Sequence, residues 1–288
     1  MYFANDFKTA NVLIETLLIK IAERPSSQWM ALVDMAFDYE GKQLRWLSES
    51  VKLYDCDEMG QFLEVSPVLL PLSSNNLAQL RKEISALYLH CKGRPMLSFI
   101  ATPSTAHEVS EAWRHFLKVK TEDEQSFVLR FADTRVLPAL AKSLRPKSWS
   151  GLTHRLDAWV VINRVGELEQ LPFVSHESEL LDKITLSAEE LSSLIDQGQP
   201  DAIIDVLAEQ MPDLLPVTNR AEFFQRIVEM CAFAKDFSVT AFPDYVALAI
   251  LSCVTDGKAL ADPELKQMLE QGAWESGKLI IKLEVFVE

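Results

Sequence analysis

Phe127-Val-Leu-Arg-Phe-Ala-Asp-Thr-Arg-Val-Leu137 is the stretch on which the reading of this chain turns. Apolar residues at Phe127, Leu129 and Phe131 alternate with others, the period of a strand. Asp133 then stands where a helix N-cap belongs, and Val136, Leu137, Leu140, Ala141 and Leu144 follow at helical spacing. The pattern predicts a strand running straight into a helix. Arg130, Asp133 and Arg135 crowd the join, and such charges must pair with one another, cap the helix or meet a partner.

Working outward, a helix is expected over 7–23, a buried strand over 29–37, a short helix over 44–49 and a strand over 51–54. A further strand over 61–72 carries Pro67 and Pro71, which push it toward a sheet edge. Leu80, Ile84, Leu87 and Tyr88 predict a helix over 77–91, and Met96–Ala101 reads as a buried strand between Pro95 and Pro103. Thr105 and Glu108 form a capping box for a helix with an apolar stripe through Val109, Ala112, Trp113, Phe116 and Leu117. A strand over 159–165, a turn at Gly166 and a return over 168–171 follow. Alternating strands and helices predict a mixed sheet with helices packed on it. Asp34, inside an apolar strand, needs an internal Arg or backbone donors.

From Ser187 the pattern changes. Ser187 and Glu190 make a second capping box, helical spacing dominates, and Asp262-Pro263 reads as N-cap and N1 of another helix. The final 279–287 fits a helix or a strand. The expected fold class is α+β, a mixed α/β N-terminal lobe (1–178) with a sheet flanked by helices, plus an all-helical C-terminal lobe (179–288), divided in the polar stretch Ser175–Ser178.

Composition bounds the function. The 288 residues hold 28 basic and 42 acidic side chains, a net charge of -14, which repels nucleic-acid backbones unless a basic patch intervenes; Arg145 and Lys147 are only a short pair. There is no apolar run of membrane-spanning length, and 12–21 is broken by Glu15 and Lys20, so neither a membrane span nor a signal peptide is expected. Cys56, Cys91, Cys231 and Cys253 lack metal-type spacing and read as buried apolar residues in a reducing cytoplasm.

No nucleophile elbow, phosphate-binding loop or dinucleotide fingerprint occurs, and no catalytic set is assigned. His107, Glu111 and His115 recur every four residues on one helix face. They span about 12 Å, too far to meet one ion unaided, so surface charge explains them better than a metal site. Asp55, Asp57 and Glu58 read as a solvated turn, with a cation or basic-partner site as the alternative, and His154, Arg155 and Asp157 as a loop entering a strand. No cofactor and no metal is expected.

Several motifs together resemble the DUF4123 family, the adaptor chaperones of type VI secretion. Arg130-Phe-Ala-Asp-Thr-Arg-Val-Leu137 is similar to the family's RF-x-D-x-R-V-L pattern. Ala31-Leu-Val-Asp-Met-Ala36 is similar to its opening strand, and Ser66-Pro-Val-Leu-Leu-Pro-Leu72 to a second. His115-Phe-Leu-Lys-Val119 matches the end of the helix before the signature, and Asp157-Ala-Trp159 the start of the next strand. The resemblance covers about residues 10–175. Arg94-Pro95 stands where the family carries Trp-Gly. The resemblance implies a non-enzymatic cytoplasmic adaptor that binds a type VI effector and assists its loading onto the VgrG spike. Its partners would be effector and spike, without nucleic acid or membrane. Trp46, Trp149, Trp159 and Trp274 are candidate anchors, at least half of them expected in the core. Arg130, Asp133, Arg135, Trp149 and Trp159 are the candidate partner-binding set, with Asp133 and an Arg also fitting a purely structural brace. The alternatives are a metal-dependent hydrolase using His107 and His115, and a scaffold or regulatory protein with another partner.

Overall fold

The computed structural model describes residues 2–39, 41, 44–46, 49–173 and 183–287. The chain forms two compact units, Phe7–Ile195, and Asp196–Glu288 with Met1–Asp6. The polar stretch 175–178, where the sequence places the division, lies outside the described residues.

The first unit is built on a six-stranded sheet. Its strands are β1 (Gln28–Val33), β2 (Val51–Lys52), β3 (Val68–Pro71), β4 (Leu97–Thr102), β7 (Ala158–Ile162) and β8 (Leu168–Gln170), in the order β2-β3-β1-β4-β7-β8. A smaller sheet has the order β6-β5-β9, from β5 (Lys118–Thr121), β6 (Ser126–Val128) and β9 (Thr185–Leu186). The helices are α1 (Ala10–Ala22), α2 (Leu77–Cys91), α3 (Ala106–Arg114), α4 (Val136–Ser143) and α5 (Pro146–Thr153).

Strand–helix alternation predicts a mixed sheet, yet every pairing in the large sheet is antiparallel. The crossover from β3 through α2 to β4 does return the chain in the same direction. β1 lies between those two strands and runs against both, so neighbours are antiparallel although the crossover is of the βαβ kind. Among the described residues, only β5 with β9 pairs in parallel.

The strands read as continuous apolar runs because both sheet faces are covered. Successive side chains point to opposite faces. Trp29, Ala31, Val33, Phe99, Ala101, Ala158 and Val160 therefore join a core with Leu13 and Leu17 of α1 and Ile84 and Leu87 of α2. Met30, Leu32, Ile100, Trp159 and Val161 join the opposite core with Val109 and Trp113 of α3, Leu137 and Leu140 of α4, and Trp149 of α5. A one-residue register slip would exchange these sets and is excluded by both faces at once.

Local signals hold at several boundaries. The Thr105–Glu108 capping box is formed, Asn76 caps α2 through Gln79 N–H at 3.1 Å, and Gly166 takes positive φ between β7 and β8. Others are corrected. Residues 60–65 form a 3₁₀ helix and leave only Val68–Pro71 as strand; β3 lies second from the edge, behind the two-residue β2. The helix before the signature ends at Arg114, and 118–121 is strand β5. Residues 44–46 carry no helix, and 47 and 48 lie outside the described residues.

The second unit is helical. α6 (Ala188–Gln210) begins in the first unit and ends in this one, followed by α7 (Arg220–Asp236), α8 (Phe242–Val254), α9 (Pro263–Gln271) and α10 (Ile280–Leu283). Its core includes Ile203, Leu207, Ile227, Met230, Leu248, Leu265 and Leu279. Buried Asp244 ties down the chain end, accepting from Trp274 Nε1 (3.0 Å), Gly277 N–H (2.9 Å) and Leu279 N–H (2.9 Å). The terminal segment is therefore helical. Ser187 with Glu190 and Asp262 with Pro263 cap as expected.

Candidate functional site

The candidate site lies where β1 leaves the sheet. At Asp34 the strand ends, and one carboxylate oxygen accepts the Ala36 N–H at 3.1 Å, which starts a 3₁₀ helix over Met35–Asp38. The other oxygen accepts Arg130 Nη2 at 2.8 Å. The expectation that Asp34 pairs with an Arg is met by one of the two signature arginines.

Asp133 is fully buried. Its Oδ1 accepts the backbone N–H and the Nε of Arg135, at 2.9 and 3.2 Å, and its Oδ2 accepts Nη2 at 2.9 Å. Its carbonyl takes the N–H groups of Val136 and Leu137, each at 3.0 Å. Asp133 thus caps α4 from two residues ahead of the N-cap, which is Arg135. The strand does not run straight into the helix, as the sequence suggests. β6 ends at Val128, and residues between it and α4 form a turn that buries Phe131 and Ala132.

The guanidinium groups of Arg130 and Arg135 both face the Phe37 ring, 5.5 and 5.6 Å from its centroid. Two cations share one ring because each is already matched to a buried carboxylate. Arg130 also lies 3.7 Å from Asp133, and 42% of its side chain stays exposed. Burial raises the Asp34 pKa, with the Arg130 charge and the Ala36 N–H acting against it. Burial also works against the Arg130 cation, but Asp34 and Asp133 outweigh that, and its pKa rises. The attraction thus shows on the half-exposed Arg, while the desolvation cost falls on the buried Asp. Tyr54, buried and near the Asp34 charge, is pushed up to about 12.

A second network adjoins the first and is not apparent from the sequence. Buried Asp38 accepts Arg94 Nη1 and the Leu44 N–H (3.1 Å), and its Oδ2 lies 2.7 Å from His90 Nε2. Arg94 donates also to the carbonyls of Phe37 (3.0 Å) and His90. Pro95 O accepts the Thr134 N–H at 2.9 Å, and Met96 O accepts the Asp34 N–H at 2.9 Å. Residues 94–96 therefore stitch the two networks together. The available signal was a second acid four positions after Asp34, and Arg94 in place of the family's Trp.

The structure places Trp149 and Trp159 in the core. They are 1% and 0% exposed, and their indole N–H groups donate to Pro172 O (2.7 Å) and Ser98 Oγ (3.1 Å). Trp159 stacks between Trp113 and Trp149 at 5.2 and 6.1 Å. An aromatic stack of this kind fills a core. Trp46 and Trp274 are half-buried.

His107 pairs with Glu49 at 3.6 Å on the surface, and Glu111 pairs with Arg114 at 2.8 Å. Among the described residues no three His, Cys, Asp or Glu side chains gather as metal ligands would. All four cysteines are free thiols. Burial pushes Cys91 up to about 12 and Cys231 and Cys253 to about 11, which suits packing and not nucleophilic attack. No described helix is long and apolar enough to cross a membrane.

The chemistry of the β1 end is that of a braced turn. Its charges are matched in pairs, and the most exposed of the charged side chains is Arg130. No curated protein and no solved structure matches this chain. The family described as Domain of unknown function (DUF4123) matches residues 29–151, from β1 into α5 and including both networks, so this region is similar to the DUF4123 family.

Proposed function

We propose that the protein is a non-enzymatic cytoplasmic adaptor that binds a type VI secretion effector and assists its loading onto the VgrG spike. The observation that carries this reading is the match of residues 29–151 to the DUF4123 family, over a segment that contains the whole signature turn and its buried counter-charges. The resemblance supplies the role.

The physics supports a binding module. The signature charges are used to rigidify a turn, and a rigid platform binds at a lower entropic cost. The adaptor acts by shielding apolar effector surface and by raising the effective concentration of effector at the spike. Of the candidate contact residues, Arg130 is the one a client reaches, since Asp133 and the two tryptophans are buried and most of Arg135 is covered. A planar guanidinium suits carboxylates or backbone carbonyls.

The test is a tagged pull-down from the native bacterium with mass spectrometry of what co-elutes. Recovery of a large toxin-like protein, with or without the spike, is the expected result. Recovery of nothing under gentle salt, from cells expressing the apparatus, overturns a stable adaptor.

A further inference from the structure

The smaller sheet ends in the edge strand β6, whose three residues are all exposed. β6 pairs with β5 on one side only. Leu129 N–H donates to Leu117 O (2.9 Å) and Thr121 N–H to Gln125 O (3.0 Å), so residues 125, 127 and 129 direct their backbone groups toward β5. By the two-residue period of an antiparallel ladder, Ser126 and Val128 direct theirs to the free edge.

The side chains say the same. Phe127 stands opposite Val119, on the same sheet face, and Val119 is buried in the core. Phe127 nevertheless stays 43% exposed and Val128 38%. Edge strands are ordinarily blunted by Pro, Lys or a bulge, and Ser-Phe-Val has none of these. A strand laid along β6 would accept the outward N–H groups, place a side chain against Phe127 and extend the core face by one position.

Charge selects the occupant. The β5–β6 turn exposes Glu122, Asp123 and Glu124. Lys120 pairs with Glu124, and among the described residues Glu122 and Asp123 form no ion pair; hydrogen bonds from Thr121 and Gln125 hold the Asp123 pKa low. Lys118 Nζ bonds the Glu58 carbonyl at 2.9 Å, which brings the acidic 55–58 turn beside β5. A second copy of a chain of net charge -14 is disfavoured there.

We infer that the outer edge of β6 receives an extended segment of the client by β-strand addition, with an apolar residue against Phe127 and basic residues reaching the acidic turn. This deepens the adaptor reading and rests on it for the identity of the client, but not for the edge chemistry. Main-chain bonds supply affinity in such docking, and alternate side chains supply choice.

The test uses the full chain and two labelled peptides, Lys-Arg-Thr-Val-Thr-Arg-Lys and its acidic counterpart Glu-Asp-Thr-Val-Thr-Asp-Glu. Polarisation is expected to show the basic peptide at least about tenfold tighter, from opposite-charge pairing at the turn. Amide exchange at Ser126 and Val128 slows on binding. Val128→Pro removes one outward N–H while leaving the β5 bonds in place, and is expected to weaken binding about fivefold, the loss of one hydrogen bond. Phe127→Ser, which needs no backbone change, is the second variant and weakens it too. Equal binding by both peptides, an unaffected Val128→Pro in a folded protein, or protection of the same amides by self-association overturns the proposal. A failed pull-down with successful peptide docking would count against the client's identity alone, and the reverse against this edge.

Discussion

Asp133→Ala is the most telling perturbation of the signature turn. The side chain is fully buried and takes three bonds from Arg135, whose own side chain is 18% exposed. Removing one partner of a buried pair leaves the other charge uncompensated, at a cost of about 3–5 kcal/mol. The 3.7 Å approach of Arg130 adds at most about 1 kcal/mol, because that guanidinium is 42% exposed and screened by solvent. For a unit of this size each kcal/mol moves the midpoint about 2–4 °C, so the expected loss is about 6–20 °C. Tryptophan emission in urea is the assay, since only Trp274 lies outside Phe7–Ile195, and the Trp113, Trp159 and Trp149 stack adjoins the turn. Asp133→Asn keeps an acceptor for the Arg135 N–H and falls between wild type and Ala. Adding Arg135→Met to Asp133→Ala removes the stranded cation and recovers part of the loss. A loss under about 1 kcal/mol, or a double variant no better than the single one, would show that Asp133 and Arg135 are not a coupled buried pair.

Trp159→Ala empties the centre of the aromatic stack and is expected to cost about 3–5 kcal/mol by the same urea titration; a cost near zero would show that the stack is loose. Asp34→Asn removes the charge that helps hold Tyr54 up to about 12, so Tyr54 is expected to titrate lower, read by NMR of labelled tyrosine. Glu190 is buried, yet N–H groups of Ser187 and Arg145 and the Arg145 charge outweigh that burial and lower its pKa. Its stabilisation is therefore present above the ordinary value of 4.5 and lost as pH falls through the lowered one. Glu190→Gln should be less stable than wild type at pH 7, with the gap closing in acid; a pH-independent gap contradicts this. Arg130→Lys keeps the charge beside Asp34 but loses the planar face over Phe37, and is expected to weaken client capture more than it lowers the melting temperature.

What could be read from the sequence divides along physical lines. Where a signal is local, it was legible. The Thr105–Glu108 and Ser187–Glu190 boxes, the Asp262-Pro263 start and the Gly166 turn depend on residues within a few positions of each other. The α+β first unit and helical second unit followed from periodicity over long windows. Long-range pairing was not legible. The insertion of β1 between β3 and β4, which makes the sheet antiparallel, leaves no trace in the strand residues themselves. Of the alternating Phe127, Leu129 and Phe131, the last two are buried, but β6 ends at Val128, Phe127 stays half-exposed, and the backbone turns before α4. Trp149 and Trp159 looked like anchors because large aromatics suit interfaces and cores alike. The site was half visible: Asp34 needed a partner, and Arg130 stood ready, but the clamp of Arg94 on Asp38 joins residues 56 positions apart.

The most direct measurement of an adaptor role is the secreted protein profile of a strain with this gene deleted in frame. The adaptor account predicts that one effector disappears from the secreted fraction while remaining in the cells, with the spike and other effectors still released, and that the intact gene restores it. An unchanged secreted profile from cells whose apparatus is firing would contradict the account.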